Sequence, residues 1–356
     1  MKRKLLLFYS ITFLLLTSCK HNNKFADDFL VFWTDVKDNY AYFDKKHTDW
    51  NKVKTVYLPQ AENAKNKNEL ITVFENALEE LYDNHFSLNT NLKSSTRLVP
   101  TGLDIWAEWI NDKFIVTEVR KGFSADKAGV KNGLEILSIN DIPIEQAVNN
   151  RIGKCISNID IEVKNYALGQ LLAGTYLKQR VIVVKQNGNI TTINLDKASG
   201  NIADTYKYNS LVQCKTLDNN IGYIKFNNSL GETDLIQLFD SALYQLKNTK
   251  ALIIDLRETP SGGNAIVARG IMSRFIAIEM TFQKHVLPNE EKEFKIKRSW
   301  FEIVSPRGAF KYDKQLVILV NHWTGSMGEG IAIGFDALGK AKIIGTKMAS
   351  VMSIVN

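Results

Sequence analysis

The period of the hydrophobic positions changes twice along this chain of 356 residues. From Phe25 to about Leu92 it is helical, and the clearest case sets Leu70, Phe74, Ala77, Leu78 and Leu81 on one face. Aromatic clusters at Phe29, Phe32 and Trp33, and at Tyr40, Tyr42 and Phe43, belong to the same region. From about residue 98 to 195 the pattern turns to short alternating runs. Runs at 105–110 and 114–119 flank Asn111-Asp112 as a hairpin. A short helix at 124–128 stops at Gly129, a strand covers 135–140, and a helix covers 145–148. Runs at 180–185 and 190–195 close a second hairpin over Asn187-Gly188. The polar stretch 196–210 reads as a linker.

Beyond residue 211 strand and helix alternate: strand 221–226, helix 234–246, strand 251–256, helix 265–275. Such alternation implies parallel βα units with right-handed crossovers. The charged stretch 281–314 is expected to form a hairpin or flap. The run Leu316-Val317-Ile318-Leu319-Val320 then reads as a strand buried on both faces, and helical spacing resumes after Glu329. Ser326 therefore lies where a buried strand turns into a helix. Free N–H groups at a helix start face developing negative charge there, and Gly325 and Gly328 let a substrate backbone approach. A second turn of this kind, Ser261-Gly262-Gly263-Asn264, follows strand 251–256 and can expose consecutive N–H groups as an anion nest.

Charge narrows the choice of partner. Lys2, Arg3 and Lys4 precede an apolar run from Leu5 to Leu16 that is too short to span a bilayer, so residues 1–18 read as a secretion signal. The formal charge of +7 falls by these three to +4 in the mature chain. No long basic run interleaves with aromatics, so nucleic-acid binding has no support. Leu16-Thr17-Ser18-Cys19 resembles the lipobox of bacterial lipoproteins, which implies cleavage before Cys19 and acylation of that cysteine. Residues 19–24 would be a tether, and two or more acyl chains would hold the protein to a membrane of the cell envelope. Cys155 and Cys214 could pair or remain free thiols. The five histidines have no metal-ligand spacing, and neither metal nor cofactor is expected.

Gly122-Phe123-Ser124-Ala125, Ala128-Gly129-Val130, Gly133 and residues 136–140 resemble a PDZ domain, with Leu134-Glu135 departing from the usual aspartate. PDZ domains bind peptides by strand addition. The C-terminal half resembles the serine peptidases of family S41, which include the C-terminal processing proteases and tricorn. The matching residues are 252–257 with Gly262-Gly263, Leu319-Val320 with 324–329, and Ile343-Ile344-Gly345. Asp83-Asn84-His85 resembles the Asp-x-His element of the tricorn-like branch. The resemblance implies a multidomain α+β and α/β chain: a helical region 25–97, a PDZ-like domain 98–195, the linker, and a βα-repeat (crotonase-like or ClpP-like) core 211–356.

It further implies Ser326 as nucleophile, Gly262, Gly263 and Met327 as backbone oxyanion donors, and Glu329 in support. His85 is the favoured base, since an imidazole needs no strong desolvation, and Lys347 is the alternative from the lysine branch. His322 is expected to shape the loop. Thr324-Gly325-Ser326-Met327-Gly328 is nearly the elbow of an α/β hydrolase, but that fold places its histidine after the serine and none follows Ser326. Family members usually continue with further strands beyond the Gly345 segment, and in the tricorn-like branch with an acidic catalytic residue. The ending at Asn356 implies either a core closed by fewer elements or a truncated, inactive one. The expected function is a cell-envelope serine endopeptidase acting on peptides or unfolded proteins. The alternative is a non-catalytic lipoprotein that binds peptide or a small ligand in the same cleft.

Overall fold

The computed structural model describes residues 23–88, 92–197 and 210–350. The expected signal and Cys19 lie outside them, as does most of the linker. Among the described residues no helix is long and apolar enough to cross a membrane.

Three helices open the chain: α1 Lys24–Asn39, α2 Trp50–Asn63 and α3 Lys67–Glu79. Each starts on a side-chain cap, from Asn23, Asp49 and Asn66 respectively, which satisfies N–H groups that a helix start leaves open. Lys24, expected in the tether, is thereby the first residue of α1. The helices bury Phe29, Val53, Leu70, Ala77, Leu78 and Leu81. The predicted face of α3 holds, except that Phe74 stays half-buried and stacks on Phe32 at 4.5 Å. Trp33 and Trp50 lock α1 to α2, each indole donating to the other residue's carbonyl, at 2.8 and 3.0 Å.

The middle domain consists of β1 Ile105–Ile110, β2 Lys113–Val119, α4 Ser124–Lys127, β3 Glu135–Ile139, β4 Ile142–Pro143, α5 Ile144–Arg151, α6 Ile161–Ala173, β5 Val181–Gln186 and β6 Asn189–Asn194. Its strands pair antiparallel in the order β1-β2-β3-β5-β6, with β4 beside β3. Helix α6 is not legible from the sequence because its apolar residues spread around the cylinder instead of forming one stripe. The Arg180 guanidinium, buried in this domain, bonds Asp104 at 2.7 Å and Asp196 at 2.6 Å. The first residue of the expected linker is therefore fixed to the domain it leaves.

The C-terminal core consists of β7 Val212–Leu217, β8 Ile221–Phe226, α7 Leu235–Gln245, β9 Ala251–Asp255, α8 Ala265–Met272, β10 Met280–Leu287, α9 Pro288–Phe294, β11 Arg298–Val304, β12 Gln315–Val320, α10 Met327–Ala337 and β13 Lys342–Gly345. Its sheet runs β13-β12-β9-β8-β7, with β8, β9, β12 and β13 parallel and β7 antiparallel to β8. Strand β7 escapes the sequence reading because its side chains are largely exposed. Ile224, Leu252, Ile254, Ile318, Phe335 and Phe239 are fully buried, each contributing on the order of 1.5–3 kcal/mol by leaving water. The expected flap is a hairpin of β10 and β11 with α9 at its tip. Cys155 is buried against the N-terminal helices and Cys214 is exposed on β7, both as free thiols.

Candidate active site

Strands β9 and β12 lie side by side in parallel, with Leu319 opposite Asp255, so the loops leaving them emerge together at one end of the sheet. These loops continue the pairing beyond the strands. Leu256 N–H donates to the Leu319 carbonyl at 2.9 Å, and Thr259 and Thr324 form a parallel bridge. The Thr259 and Thr324 hydroxyls both donate to the Leu256 carbonyl, at 2.8 and 3.0 Å.

Ser326 ends the second loop and caps α10 with φ 50° and ψ −115°, a conformation that costs a non-glycine residue strain and that recurs at functional sites. Gly262 packs against it, with φ +66°. A Cβ at Gly262 would lie 2.5 Å from the Ser326 Cβ and 2.9 Å from its Oγ. A Cβ at Gly263 would meet the Leu230 carbonyl oxygen at 2.1 Å. Glycine at 262 thus answers two demands at once, a positive φ and close approach to the serine. The Met327 N–H belongs to the first turn of α10, on the positive end of the helix. Gly262 N–H donates to the Thr259 carbonyl at 3.1 Å, so of the three expected oxyanion donors this one is engaged within its own turn. Glu329 is buried and bridges two backbone donors, Ser326 N–H at 3.1 Å and Ser350 N–H at 2.9 Å. It holds the Ser326 turn against the segment that follows β13.

His85 is exposed in the turn after α3, and its N–H donates to the Asp83 carboxylate at 2.9 Å. No hydrogen bond joins it to Ser326. Between the helical region, the middle domain and the core lies a cavity of about 770 Å³. Among the described residues its walls include Asp83 and Asn84, and on the core side His322 and Lys347, but neither His85 nor Ser326. Lys347 is exposed at this wall. The structure thus brings Ser326, Gly262, Met327 and Glu329 together and leaves both candidate bases unjoined to the serine.

Sequence reasoning overlooked what the middle domain contributes. The Glu118 carboxylate, on β2, accepts from Asn321 Nδ2 at 2.7 Å, His322 Nδ1 at 2.7 Å and Thr346 Oγ1 at 3.3 Å. Burial pushes its pKa up, but the bonds from His322 and Asn321 outweigh that and hold it below the usual carboxylate range. Arg120, just past β2, reaches the turn that carries Gly262 by pairing with Glu258 at 2.9 Å, and Trp323 Nε1 donates to the Leu103 carbonyl at 2.6 Å. The only trace of these contacts in the sequence is a pair of charged residues at the end of an apolar strand.

Residues 220–356 match the sequence model of peptidase family S41, and residues 21–79 match that of the tricorn protease C1 domain. The first match covers the C-terminal core and the second the N-terminal helices, so the chain resembles S41 peptidases in both regions. No curated protein matches it. The fold is similar to that of mature CPAF, at TM-score 0.60 and 12% identity, over 93% of this chain and 85% of that one. CPAF complexed with lactacystin superposes at TM-score 0.59 and 12% identity, over 93% and 86% of the two chains. The photosystem II D1 C-terminal processing protease superposes at TM-score 0.53 and 17% identity, over 91% and 81%. A match to a peptidase family implies peptides or proteins as the substrate class.

Proposed function

We propose that the chain is a serine endopeptidase of the cell envelope, hydrolysing peptides or unfolded proteins through an acyl-enzyme on Ser326. The observation that carries this reading is the strained Ser326 at the head of α10, with Gly262 pressed against its side chain. A serine held this way presents its hydroxyl beside N–H groups that can receive an oxyanion. His85 is the proposed base and the Gly263 and Met327 N–H groups the proposed donors, joined by Gly262 once its turn opens. The middle domain, read as PDZ-like, would help present the chain to be cut, and acylation of Cys19 would keep the enzyme on the periplasmic or outer-membrane face.

The test is a fluorophosphonate probe, which reacts with an activated serine and not with an ordinary one. An adduct on Ser326 that is lost in His85→Ala supports the reading, and loss in Lys347→Ala instead moves the base to the lysine. A folded protein that gives no adduct refutes it. A second reading, a non-catalytic lipoprotein that binds peptide, draws on the engaged Gly262 N–H and on the absence of a bond between His85 and Ser326.

A further inference from the structure

Among the described histidines His322 alone is at once buried, oriented by a carboxylate and set on the wall of the large cavity. Two neighbours on adjacent strands fix it. Trp106 and Glu118 are directly opposed across β1 and β2, and the imidazole stacks on the Trp106 ring at 4.5 Å while its Nδ1 meets the Glu118 carboxylate at 2.7 Å. An ionised carboxylate can only accept, so Nδ1 carries the proton and donates it. In the neutral ring Nε2 is then the acceptor, and it is the nitrogen left for whatever the cavity holds.

The cavity fits a peptide. At about 770 Å³ it has room for several side chains, and apolar and aromatic walls such as Leu103, Trp106, Tyr166 and Met348 stand beside a few polar groups. Its ionisable walls besides His322 are Lys45, Lys46, Asp83, Glu108, Glu162 and Lys347, of both signs, and Lys46 is already paired with Glu162. A buried, oriented acceptor beside apolar and aromatic walls suits a hydrogen-bond donor carried by a largely apolar segment.

We propose that this cavity is a substrate subsite in which His322 Nε2 accepts a hydrogen bond from a bound peptide, with Glu118 and Trp106 as the residues that position the ring. The inference rests on the reading that the chain acts on peptides, and it adds the place and the atom. Losing one such bond weakens binding about three- to tenfold.

The test separates binding from catalysis by using Ser326→Ala protein and fluorescently labelled, denatured casein. In that background His322→Phe, which keeps a ring to stack on Trp106, is expected to raise the Kd about three- to tenfold. His322→Gln, which restores an amide oxygen near the position of Nε2, is expected to recover most of the loss. In 15N spectra of Ser326→Ala protein with its native His322, the His322 Nε2 resonance should shift on addition of casein. Equal affinity of the three proteins, or an Nε2 resonance unmoved at saturating casein, would each overturn the proposal. Fluorophosphonate labelling of Ser326 in the native protein reads the hydrolase assignment separately.

Discussion

Arg120 and Glu258 meet at 2.9 Å across the boundary between the middle domain and the core, with the Arg120 side chain wholly withdrawn from solvent. The guanidinium also donates to the Thr101 carbonyl at 3.2 Å and lies over the rings of Phe123 and Trp323. One cation thus touches the middle domain, the turn that carries Gly262 and the loop that carries Ser326. Removing it breaks this ion pair in a partly buried place, which costs on the order of 3–5 kcal/mol. Arg120→Ala is therefore expected to lower the denaturation midpoint sharply, while Arg120→Met, which refills the space, loses less; equal losses in a urea titration would contradict this.

Gly262→Ala puts a methyl group onto the Ser326 side chain at a backbone conformation that alanine tolerates poorly. The variant should lose about 1–3 kcal/mol of stability and nearly all reactivity of Ser326. Probe labelling at the native rate, measured together with a melting curve, would show that the contact is dispensable.

Glu329→Gln keeps the shape of the side chain but makes a charged acceptor neutral, weakening its bonds to the N–H groups of Ser326 and Ser350. A loss of about 1–2 kcal/mol is expected, with faster hydrogen exchange at Ser350 than at the β12 amides. Uniform exchange across both segments would deny Glu329 its role as a tie between them.

Glu80 is fully buried and receives the Tyr57 hydroxyl at 2.7 Å and the N–H groups of Lys154 and Cys155 at 2.9 and 2.8 Å. Replacing it by alanine strands two buried donors, from Tyr57 and Cys155, at the seam between the helices and the middle domain, at a cost of roughly 1–3 kcal/mol for each unsatisfied group. Limited proteolysis should then cut the N-terminal helices first. Cys155, whose thiol burial and the Glu80 charge push up to about 12, should stay inert to alkylation in the native protein and react once this seam opens.

Acid should destabilise the protein through carboxylates whose folded pKa is depressed: Glu118, Asp196, Asp240 and Asp255. In each, burial acts upward but is outweighed by hydrogen bonds, from His322 and Asn321, Arg180, Arg274 and Arg307, and Arg257 and Tyr223 respectively. The unfolded chain takes up protons at a higher pH than the folded one does. The stability these groups supply is therefore complete above about pH 4–5 and is lost as pH falls through their lower folded values. The melting temperature of Asp240→Asn should vary less with pH below about 4 than that of the native protein.

The sequence made the core legible where periodicity is strong. The α3 face, the β1–β2 and β5–β6 hairpins and the βα alternation around β8, β9 and β12 all appear close to their predicted places. Helix α6 and strand β7 did not, one because its apolar residues face every way and the other because its residues are mostly exposed. The same divide runs through the site. Ser326 and the Gly-Gly turn are local features of a strand end, and local features can be read. Glu118, Arg120 and the orientation of His322 depend on which domain lies against which, and contacts more than a hundred residues apart leave no period to detect.

The hairpin of β10 and β11 enters the chain between α8 and β12, yet β9 and β12 are direct neighbours in the sheet. Its root is fastened by the buried Phe282 and Val304, whereas its far end carries Phe294 and Ile296 in the open. Such an insertion can be lengthened, shortened or resurfaced without shifting the register that brings the loops of Gly262 and Ser326 side by side. The fold thereby separates what it touches from what it does, and lineages carrying it are free to change the first while keeping the second.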